Sequence, residues 1–436
     1  MIVRLSHLSS LGSLVLSLIF ALPAASTVWL VDPGGGGDFI EIQAAINAAA
    51  SGDQILVEPG TYVENLDYLG KDLVVESIGG PDVTTIDGAN GPAGERSTVR
   101  FVSAEPVTAT LRGFRVTGGQ GSVVEPYGLM GGGILLGESS ATIEDCWVED
   151  NEAEYGAGLR AHYAELVILD CIFRHNQSLA YGAATSSGWS TVTIENTLFE
   201  ENTSATGDGA VSFGQENVLH LHGCTFLDNY GPSGAGLNIG QISCTGTVSH
   251  CHFEGNHAHS MHGGGMRIHE ATLTVAYCSF LANEAFPDGG GLMVLDGAQP
   301  HVHHCTFYGN QAGRHGGQVA AWDFADAIFE HCIFADGLAN GGFFVSNCSP
   351  IISCCDAWNN AGGNYLGLPD PTGHDGNIAA DPLFCDAWGG DLQLASDSPC
   401  AEENNPECGQ IGAFGIGCQQ TPVLTGSWGS IKGLFR

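Results

Sequence analysis

The chain has 436 residues and 64 glycines, with 43% hydrophobic and only 14% charged residues, so it can bury a long core while using many residues in turns. Its formal net charge is −36, from 12 Lys and Arg against 48 Asp and Glu. Such a surface repels nucleic acid and anionic lipid, which argues against both as partners. It would also repel an acidic glycan unless a cation bridged them, so Ca²⁺ is the one cofactor considered.

The N-terminus has the features of a secretory signal peptide. Arg4 precedes an apolar run over residues 8–22, and small residues follow at 24–26. No later stretch is long and apolar enough to span a bilayer. The sequence therefore predicts cleavage of residues 1–26 and a protein that is secreted or exposed on a bacterial cell surface.

The mature chain begins with a predicted strand at residues 29–32 and the only predicted helix, at residues 39–50. Asp38 is the expected N-cap. The helix has a single apolar face, formed by Ile42, Ala45, Ile46 and Ala49. We expect this face to cover the open end of the strands that follow, because bare strand edges promote aggregation.

A repeat occupies the middle of the chain. Its motif is C-x-F-x-x-N, as at Cys251, Phe253 and Asn256, and successive copies or variants lie 25 to 27 residues apart. Apolar residues alternate in short runs between glycine-rich corners, which indicates strands rather than helices. The repeat predicts an all-β, right-handed parallel β-helix of ten or eleven coils, with three strands in each coil.

The repeat places equivalent side chains of successive coils in columns along the axis, and two of these columns can be predicted. An asparagine at one corner of every coil could tolerate a tight turn, or it could join a hydrogen-bonded ladder, which is the preferred interpretation. The predicted ladder consists of Asn151, Asn176, Asn202, Asn229, Asn256, Asn283 and Asn310. Seven inward cysteines, at positions 146, 171, 224, 251, 278, 305 and 332, are predicted to be free thiols, because equivalent side chains on neighbouring coils point the same way. The disulfide candidates lie nearer the C-terminus and are Cys385, Cys400, Cys408 and Cys418.

The early coils carry a family resemblance. The runs I-Q-A-A-I-N-A-A at 42–49, G-D-Q-I-L-V-x-P-G-T-Y at 52–62 and T-x-I-D-G at 84–88 resemble extracellular members of the pectin-lyase-like β-helix superfamily. The alternation of F-x-x-N with G-G-x-apolar is similar to the repeats of polymorphic outer membrane proteins. Together the resemblances cover roughly residues 29–345. They imply the fold but leave function open, because the superfamily includes lyases, hydrolases, epimerases and adhesins.

The resemblance also divides the chain. Residues 27–354 are expected to form the β-helix with its N-terminal cap, and residues 355–420 are similar to the C-terminal cap of many bacterial secreted β-helices. Residues 421–436 form an apolar, basic tail that is either a sorting or anchoring segment or a frayed terminus.

Candidate functional residues lie on an outward face next to the glycine corners. If the protein is an enzyme, the candidate catalytic residues are Asp208, His262, Arg267, Asp288 and His315, acting as a polysaccharide lyase with Ca²⁺ or as a two-carboxylate hydrolase. The R-I-H sequence at 267–269 faintly resembles the R-I-K motif of polygalacturonases, but their N-T-D motif is absent. The candidate binding residues are Tyr155, Tyr181, Trp189, Trp322, His269 and Glu270.

A second outward column changes from acidic residues to His222, His250, His303, His304 and His331 along the axis. Neighbouring imidazoles could bind a transition metal, but a solvated polar corner is the simpler interpretation, so no metal ligand is assigned. The preferred hypothesis is a monomeric, secreted or surface scaffold that binds glycans or a surface protein without catalysis. The alternative is a lyase or hydrolase acting on an acidic polysaccharide.

Overall fold

The computed structural model describes residues 26–240 and 243–419, and most of them form a parallel β-helix. This confirms the predicted fold class. The predicted signal peptide, apart from Ser26, and the predicted tail lie outside the described residues. Within those residues, no helix is long and apolar enough to cross a membrane.

Four sheets run along the axis, numbered here in the order in which a coil visits them. Counted over the described residues, they contain 13, 12, 10 and 12 strands. Sheet 1 consists of Val28–Val31, Gln54–Val57, Val74–Ser77, Thr110–Arg112, Ala141–Glu144, Glu165–Leu169, Thr191–Glu195, Val218–His222, Thr245–Ser249, Thr272–Ala276, His301–His303, Ile328–Glu330 and Ile351–Ser353. Sheet 2 consists of Gly60–Tyr62, Thr84–Asp87, Arg115–Thr117, Trp147–Glu149, Ile172–Arg174, Leu198–Glu200, Thr225–Leu227, His252–Glu254, Ser279–Leu281, Thr306–Tyr308, Ile333–Ala335 and Asp356–Trp358. Sheet 3 consists of Glu95–Arg96, Gly121–Val124, Gly128–Met130, Glu152–Tyr155, Gln177–Tyr181, Thr203–Ser204, Tyr230–Gly231, His257–Ala258, Glu284–Ala285 and Gln311–Ala312. Sheet 4 consists of Leu66–Asp67, Val99–Phe101, Ile134–Gly137, Leu159–His162, Thr185–Gly188, Val211–Phe213, Leu237–Ile239, Met266–His269, Leu292–Leu295, Val319–Trp322, Phe343–Ser346 and Tyr365–Leu366.

Two features of the predicted coil need correction. A typical coil has four strands rather than three, because the two residues after each ladder asparagine, such as His257–Ala258, pair in parallel with the next coil. Sheet 1 has 13 strands, one for each coil, so the number of coils exceeds the ten or eleven that were predicted. The early coils lack the repeat motif and vary in length, since Val28 pairs with Gln54, Gln54 with Val74, and Val74 with Thr110.

The capping helix, Ile42–Ala48, is shorter than predicted, and its buried residues join the core formed by the first coils. Asp38 is not its N-cap, because its carboxylate accepts a hydrogen bond from the Leu30 N–H. The carboxylate of Glu64 instead accepts hydrogen bonds from the Ile42 and Gln43 N–H groups. The free donors of the helix N-terminus are thus satisfied from a neighbouring coil.

The asparagines form a continuous ladder inside the corner. The side chain of Asn256, for example, donates from Nδ2 to Asn283 Oδ1 at 2.9 Å and to the Phe226 carbonyl at 2.9 Å. All seven predicted members are fully buried. Beside them, phenylalanine rings stack along the axis with centroids 4.5–5.5 Å apart. The seven inward cysteines are free and buried, and Cys355 extends their column.

The C-terminal region forms a cap of three strands, Phe384–Asp386, Asp391–Ala395 and Ile416–Cys418, with 3₁₀ turns at Ala387–Gly389 and Glu402–Asn404. It packs against the outer face of sheet 2, where Leu392 and Leu394 share a cluster with Tyr308. Two disulfides, Cys354–Cys408 and Cys385–Cys418, hold it. Cys400, predicted as a disulfide candidate, is instead a buried free thiol that donates to Asp356, while Cys354 takes the place of the fourth partner.

Candidate functional site

A cleft of about 420 Å³ lies on the outward face of sheet 4. Its floor is a register column that crosses five consecutive coils and consists of Arg160, Ser186, Ser212, Asn238 and Arg267. The coils on either side place Leu135 and Met293 in this column, so the polar stretch ends at both sides. The cleft therefore has a defined length along the axis.

The two ends of the cleft have the same sequence pattern. Each has an arginine and, two residues later, a histidine on one strand: Arg160 and His162 at one end, Arg267 and His269 at the other. The three coils between them carry glycines beside the central column, at positions 188, 214 and 240, and all three line the cleft. Small residues between two pairs of large ones create the depression.

Aromatic rings line the N-terminal half of the cleft. Tyr155 and Tyr181 stack with their ring centroids 5.7 Å apart. Trp189 stacks on Tyr163 at 5.3 Å and meets the edge of His162 at 5.2 Å. Flat, partly exposed rings of this kind offer surfaces on which a sugar can stack.

The two cleft arginines are unusual in lacking an acidic partner. Across the part of the chain that the structure describes, neither Arg160 nor Arg267 forms an ion pair with a carboxylate, and the Nε atom of each is buried without a hydrogen-bond partner. Arg160 Nη1 donates to Ser186 Oγ, and Arg267 Nη1 donates to Asn238 Oδ1 at 3.0 Å. Desolvation lowers the pKa of Arg160 to about 10 and also lowers the pKa of Arg267. Both guanidiniums stay charged at neutral pH.

One carboxyl group, that of Asp208, faces the middle of the cleft. Its Oδ2 accepts hydrogen bonds from Ser212 Oγ at 2.9 Å and Asn238 Nδ2 at 2.8 Å. Desolvation raises the pKa of Asp208, although the Ser212 hydrogen bond and the charge of Arg267 oppose this shift. Asp208 therefore accepts hydrogen bonds in the cleft, and desolvation disfavours its ionised form.

The five candidate catalytic residues are divided between two places. Asp208 and Arg267 line the cleft, whereas His262, Asp288 and His315 belong to a separate cluster further along the axis. There the buried Asp288 carboxylate accepts bonds from Arg314 Nη2 and Nε at 2.6 and 3.1 Å, and His262 Nδ1 lies 3.4 Å away. Burial acts to raise the pKa of Asp288, but His262 and Arg314 outweigh it and the pKa lies below its usual value.

This second cluster is packed rather than open. Trp322 lies under the Arg314 guanidinium at 5.0 Å and beside the His262 ring at 5.3 Å, and His315 stacks on Phe344 at 4.2 Å. Because the Asp288 side chain is fully buried, the cluster does not present a carboxylate to solvent.

The candidate binding residues also separate. Tyr155, Tyr181, Trp189 and His269 line the cleft, and His269 Nε2 contacts Asp296 Oδ2 at 2.9 Å. Trp322 belongs to the second cluster. Glu270 lies outside the cleft, beside Cys244 on the far side of a corner.

Several cleft residues were missing from the sequence interpretation. Arg160, Ser186, Ser212 and Asn238 complete the central column, and Tyr127 adds another ring. A signal for Arg160 existed in the sequence, since residues 158–162 (G-L-R-A-H) and 265–269 (G-M-R-I-H) share the pattern G-apolar-R-apolar-H. No comparable signal marks the serines and the asparagine, because small polar residues are common throughout the repeats.

The histidine column forms a ring stack on the outer corner of sheets 1 and 2. The rings of His304 and His331 lie parallel with centroids 4.7 Å apart, and Tyr277 stacks on His304 at 4.9 Å. Desolvation, together with His331 and His303, lowers the pKa of His304 to about 4. Among the described residues, no group of three or more His, Cys, Asp or Glu side chains is arranged to hold a metal ion.

A comparison with known protein families agrees with the fold. A family model described as the right handed beta helix region matches residues 106–226, 132–322 and 204–367, which overlap to span most of the coils. Two crystal structures of the pectin methylesterase from Aspergillus niger, in penultimately deglycosylated and deglycosylated forms, match at 14% and 12% identity with TM-scores of 0.26 and 0.20. Each match covers 85% of this chain and 97% of the methylesterase. No curated protein sequence matches the chain.

Proposed function

The chain belongs to the family of the right handed beta helix region, and from this premise we propose that it is an extracellular scaffold that binds an acidic glycan in the cleft of sheet 4 without cleaving it. The single observation that carries the proposal is the pair of cleft arginines without carboxylate partners. In a chain with net charge −36, carboxylates are abundant, yet among the described residues none forms an ion pair with Arg160 or Arg267, and Asp208 and Asp296 act on Arg267 only at longer range. Partly buried guanidiniums are favoured by a nearby counter-charge, and a ligand acid can supply it.

The shape of the cleft supports a sugar polymer rather than a folded protein. The cleft is elongated along the axis, lined by stacked rings on one side and by hydrogen-bonding side chains on its floor. Sugar rings stack on aromatic faces, and their hydroxyls need nearby donors and acceptors. A protein partner would need a broader surface, which makes it the second choice for this cleft.

The two disulfides support a location outside the cytoplasm, because such bonds persist in oxidising compartments. The large negative charge is compatible with this setting. It opposes long-range attraction of an acidic glycan, so affinity has to come from contacts inside the cleft. A bridging Ca²⁺ is the other way to overcome the repulsion and is tested below.

Catalysis is the alternative function. Among the described cleft residues, Asp208 is the one carboxyl group, whereas most glycoside hydrolases use two acidic groups flanking the scissile bond. Asp288 does not supply the second group, because it is fully buried in an ion pair. The enzyme alternative therefore reduces to a lyase in which Asp208 or Arg267 moves a proton.

The test measures binding and cleavage together. The purified mature protein is titrated calorimetrically with acidic and neutral oligosaccharides, with Ca²⁺ or with a chelator, and unsaturated products and reducing ends are followed in the same samples. We expect binding of an acidic oligosaccharide, no product, and no need for Ca²⁺. Arg160→Ala and Arg267→Ala should each weaken binding at least tenfold, since each removes a charge-assisted hydrogen-bond donor.

The matched control is Arg96→Ala. Arg96 is exposed, lies outside the cleft and bonds to Gln120, so its removal should leave binding unchanged. Equal losses from Arg96→Ala and Arg160→Ala would mean that only general positive charge matters, and the cleft assignment would fail. Product that disappears in Asp208→Asn would establish the enzyme alternative instead.

A further inference from the structure

Charged groups alternate in sign along the cleft. Arg160 reaches towards the coil of Ser186, since its Nη2 lies 3.8 Å from where a Cβ on Gly188 would stand. Arg267 reaches back from the opposite end towards the coil of Asn238, where its Nη1 lies 3.6 Å from the Cβ position of Gly240. Both guanidiniums thus lean inward, towards the middle of the cleft.

The carboxyl group of Asp208 lies between them. Asp208 and Ser212 belong to the same coil, and the Ser212 hydroxyl donates to the Asp208 carboxyl. This coil is one step from the coil of Ser186 and one step from the coil of Asn238. Since neighbouring coils are about 4.8 Å apart, the two guanidiniums are separated by at least about 10 Å. The Asp208 carboxyl lies between them, on the side of Arg267, because it accepts a hydrogen bond from Asn238 Nδ2.

This spacing corresponds to the geometry of an extended glycan. One sugar residue of such a chain advances by about the rise of one coil, so a glycan lying along the axis would place one sugar on each of the three middle coils. The first and third sugars would meet arginines. The second would meet Asp208 above the small residues Ser212 and Gly214.

We propose that the cleft selects a glycan with acidic groups on alternate sugars, separated by a neutral sugar that donates a hydrogen bond to Asp208. This inference deepens the proposed function and rests on it. An acid on the middle sugar would face Asp208 within one coil, where two carboxylates repel in a partly desolvated site. A polymer with an acid on every sugar is therefore a poor ligand, and a polymer with an acidic disaccharide repeat is a good one.

The proposal is tested with two hexasaccharides. One alternates glucuronate with N-acetylglucosamine, and the other is hexagalacturonate, with an acid on every sugar. Trigalacturonate, which has the same three carboxylates as the alternating hexamer, controls for total charge. We expect the alternating hexamer to bind at least tenfold more tightly than either galacturonate.

The role of Asp208 is tested with Asp208→Asn. This variant keeps a hydrogen-bonding group of the same shape and removes the negative charge, so it should bind hexagalacturonate more tightly and reduce the ratio between the hexamers to below about threefold. Arg160→Ala should weaken binding of the alternating hexamer at least tenfold. The thermal midpoint and circular dichroism of each variant check that it is folded.

The outcomes separate this inference from the proposed function. Equal binding of both hexamers, or tighter binding of hexagalacturonate, by the unmodified protein would overturn the alternate-sugar rule while leaving an acidic-glycan cleft in place. An unchanged ratio in folded Asp208→Asn would also overturn it. Failure of every acidic oligosaccharide to bind would remove the proposed function itself.

Discussion

Three aspartates show how the position of a residue decides its chemistry. Asp208 faces a cleft and accepts two neutral donors, Asp288 is buried against an arginine, and Asp356 is buried without a cation. The pKa is raised for Asp208, lowered for Asp288 and raised to about 7 for Asp356. All three have the same side chain, so desolvation and the neighbouring charge account for the differences.

Because of Asp356, we expect the stability of the folded protein to depend on pH. Desolvation raises its pKa from 3.8 to about 7, although the Ala380 N–H and the Cys400 thiol donate to its carboxyl. The folded state therefore holds this proton more tightly than the unfolded chain, and the stabilisation is full below pH 3.8 and is lost as pH rises through about 7. We expect Asp356→Asn, which cannot ionise, to gain stability relative to the unmodified protein across this range.

Thermal midpoints of the two proteins, measured by calorimetry from below pH 3.8 to above pH 7, check this prediction. Asp375→Asn, at an exposed position nearby, is the control and should show a constant difference from the unmodified protein. A difference between Asp356→Asn and the unmodified protein that does not change with pH would show that the pKa of Asp356 is the same in the folded and unfolded states.

At the scale of structural elements, the corner after sheet 2 depends on the asparagine ladder. The side chain of a ladder member such as Asn256 satisfies backbone groups of the preceding coil, and it also bonds to the asparagine side chain of the following coil. The left-handed conformation that recurs just before the inward cysteines, as at His250, Tyr277 and His304, marks the opposite corner. The same conformation recurs just before the ladder asparagines, as at Asp228 and Ala282, so backbone conformation shapes both corners and side-chain hydrogen bonds reinforce the one after sheet 2.

Removing one asparagine of the ladder should destabilise the folded protein. Asn256→Ala leaves the Phe226 carbonyl and the Asn229 N–H and Nδ2 groups without their bonds to this side chain. Each unsatisfied buried group costs about 1–3 kcal/mol, so we expect the free energy of unfolding to fall by at least about 2 kcal/mol.

Urea unfolding followed by circular dichroism measures this loss. The control is Asn47→Ala on the exposed side of the capping helix, whose side chain bonds only to Gln43 and should change stability little. If both variants lost the same stability, the ladder would not be the main source of order at this corner.

At the scale of the whole molecule, the negative charge and the cleft oppose each other. In the proposed complex, the net charge of −36 would repel an acidic glycan at a distance, whereas Arg160 and Arg267 would attract it at contact. Long-range repulsion acts mainly on the rate of encounter, and contacts act mainly on the rate of release.

This division predicts an unusual salt dependence. Raising the ionic strength from about 0.01 to about 0.15 M shortens the screening length from about 30 to about 8 Å, which removes most of the long-range repulsion. We expect the association rate constant of an acidic oligosaccharide to rise at least twofold, measured by stopped-flow fluorescence. An association rate that falls with salt would mean that the field at the cleft is positive, and a neutral oligosaccharide serves as the control.

The sequence alone determined the period of the coils, although it predicted three strands in each coil where the structure has four. The recurring cysteine, phenylalanine and asparagine appear in most of the repeats, so their spacing states both the period and the inward positions, and stacking then turns each position into a column. The capping helix followed from local reasoning, because its residues are close together in the chain. The free thiols followed from the repeat, and the disulfides near the C-terminus followed from the cysteines that lie outside it.

Tertiary structure decided the rest. Arg160 and Arg267 are 107 residues apart in the chain, yet they close the two ends of one cleft because coils of 26 to 29 residues bring them into one register column. The same register separated Asp208 from Asp288, and the fold of the cap paired Cys354 rather than Cys400. A repeat motif fixes what each coil has in common with the others, whereas a binding site depends on how individual coils differ, and those differences combine only when the coils are stacked.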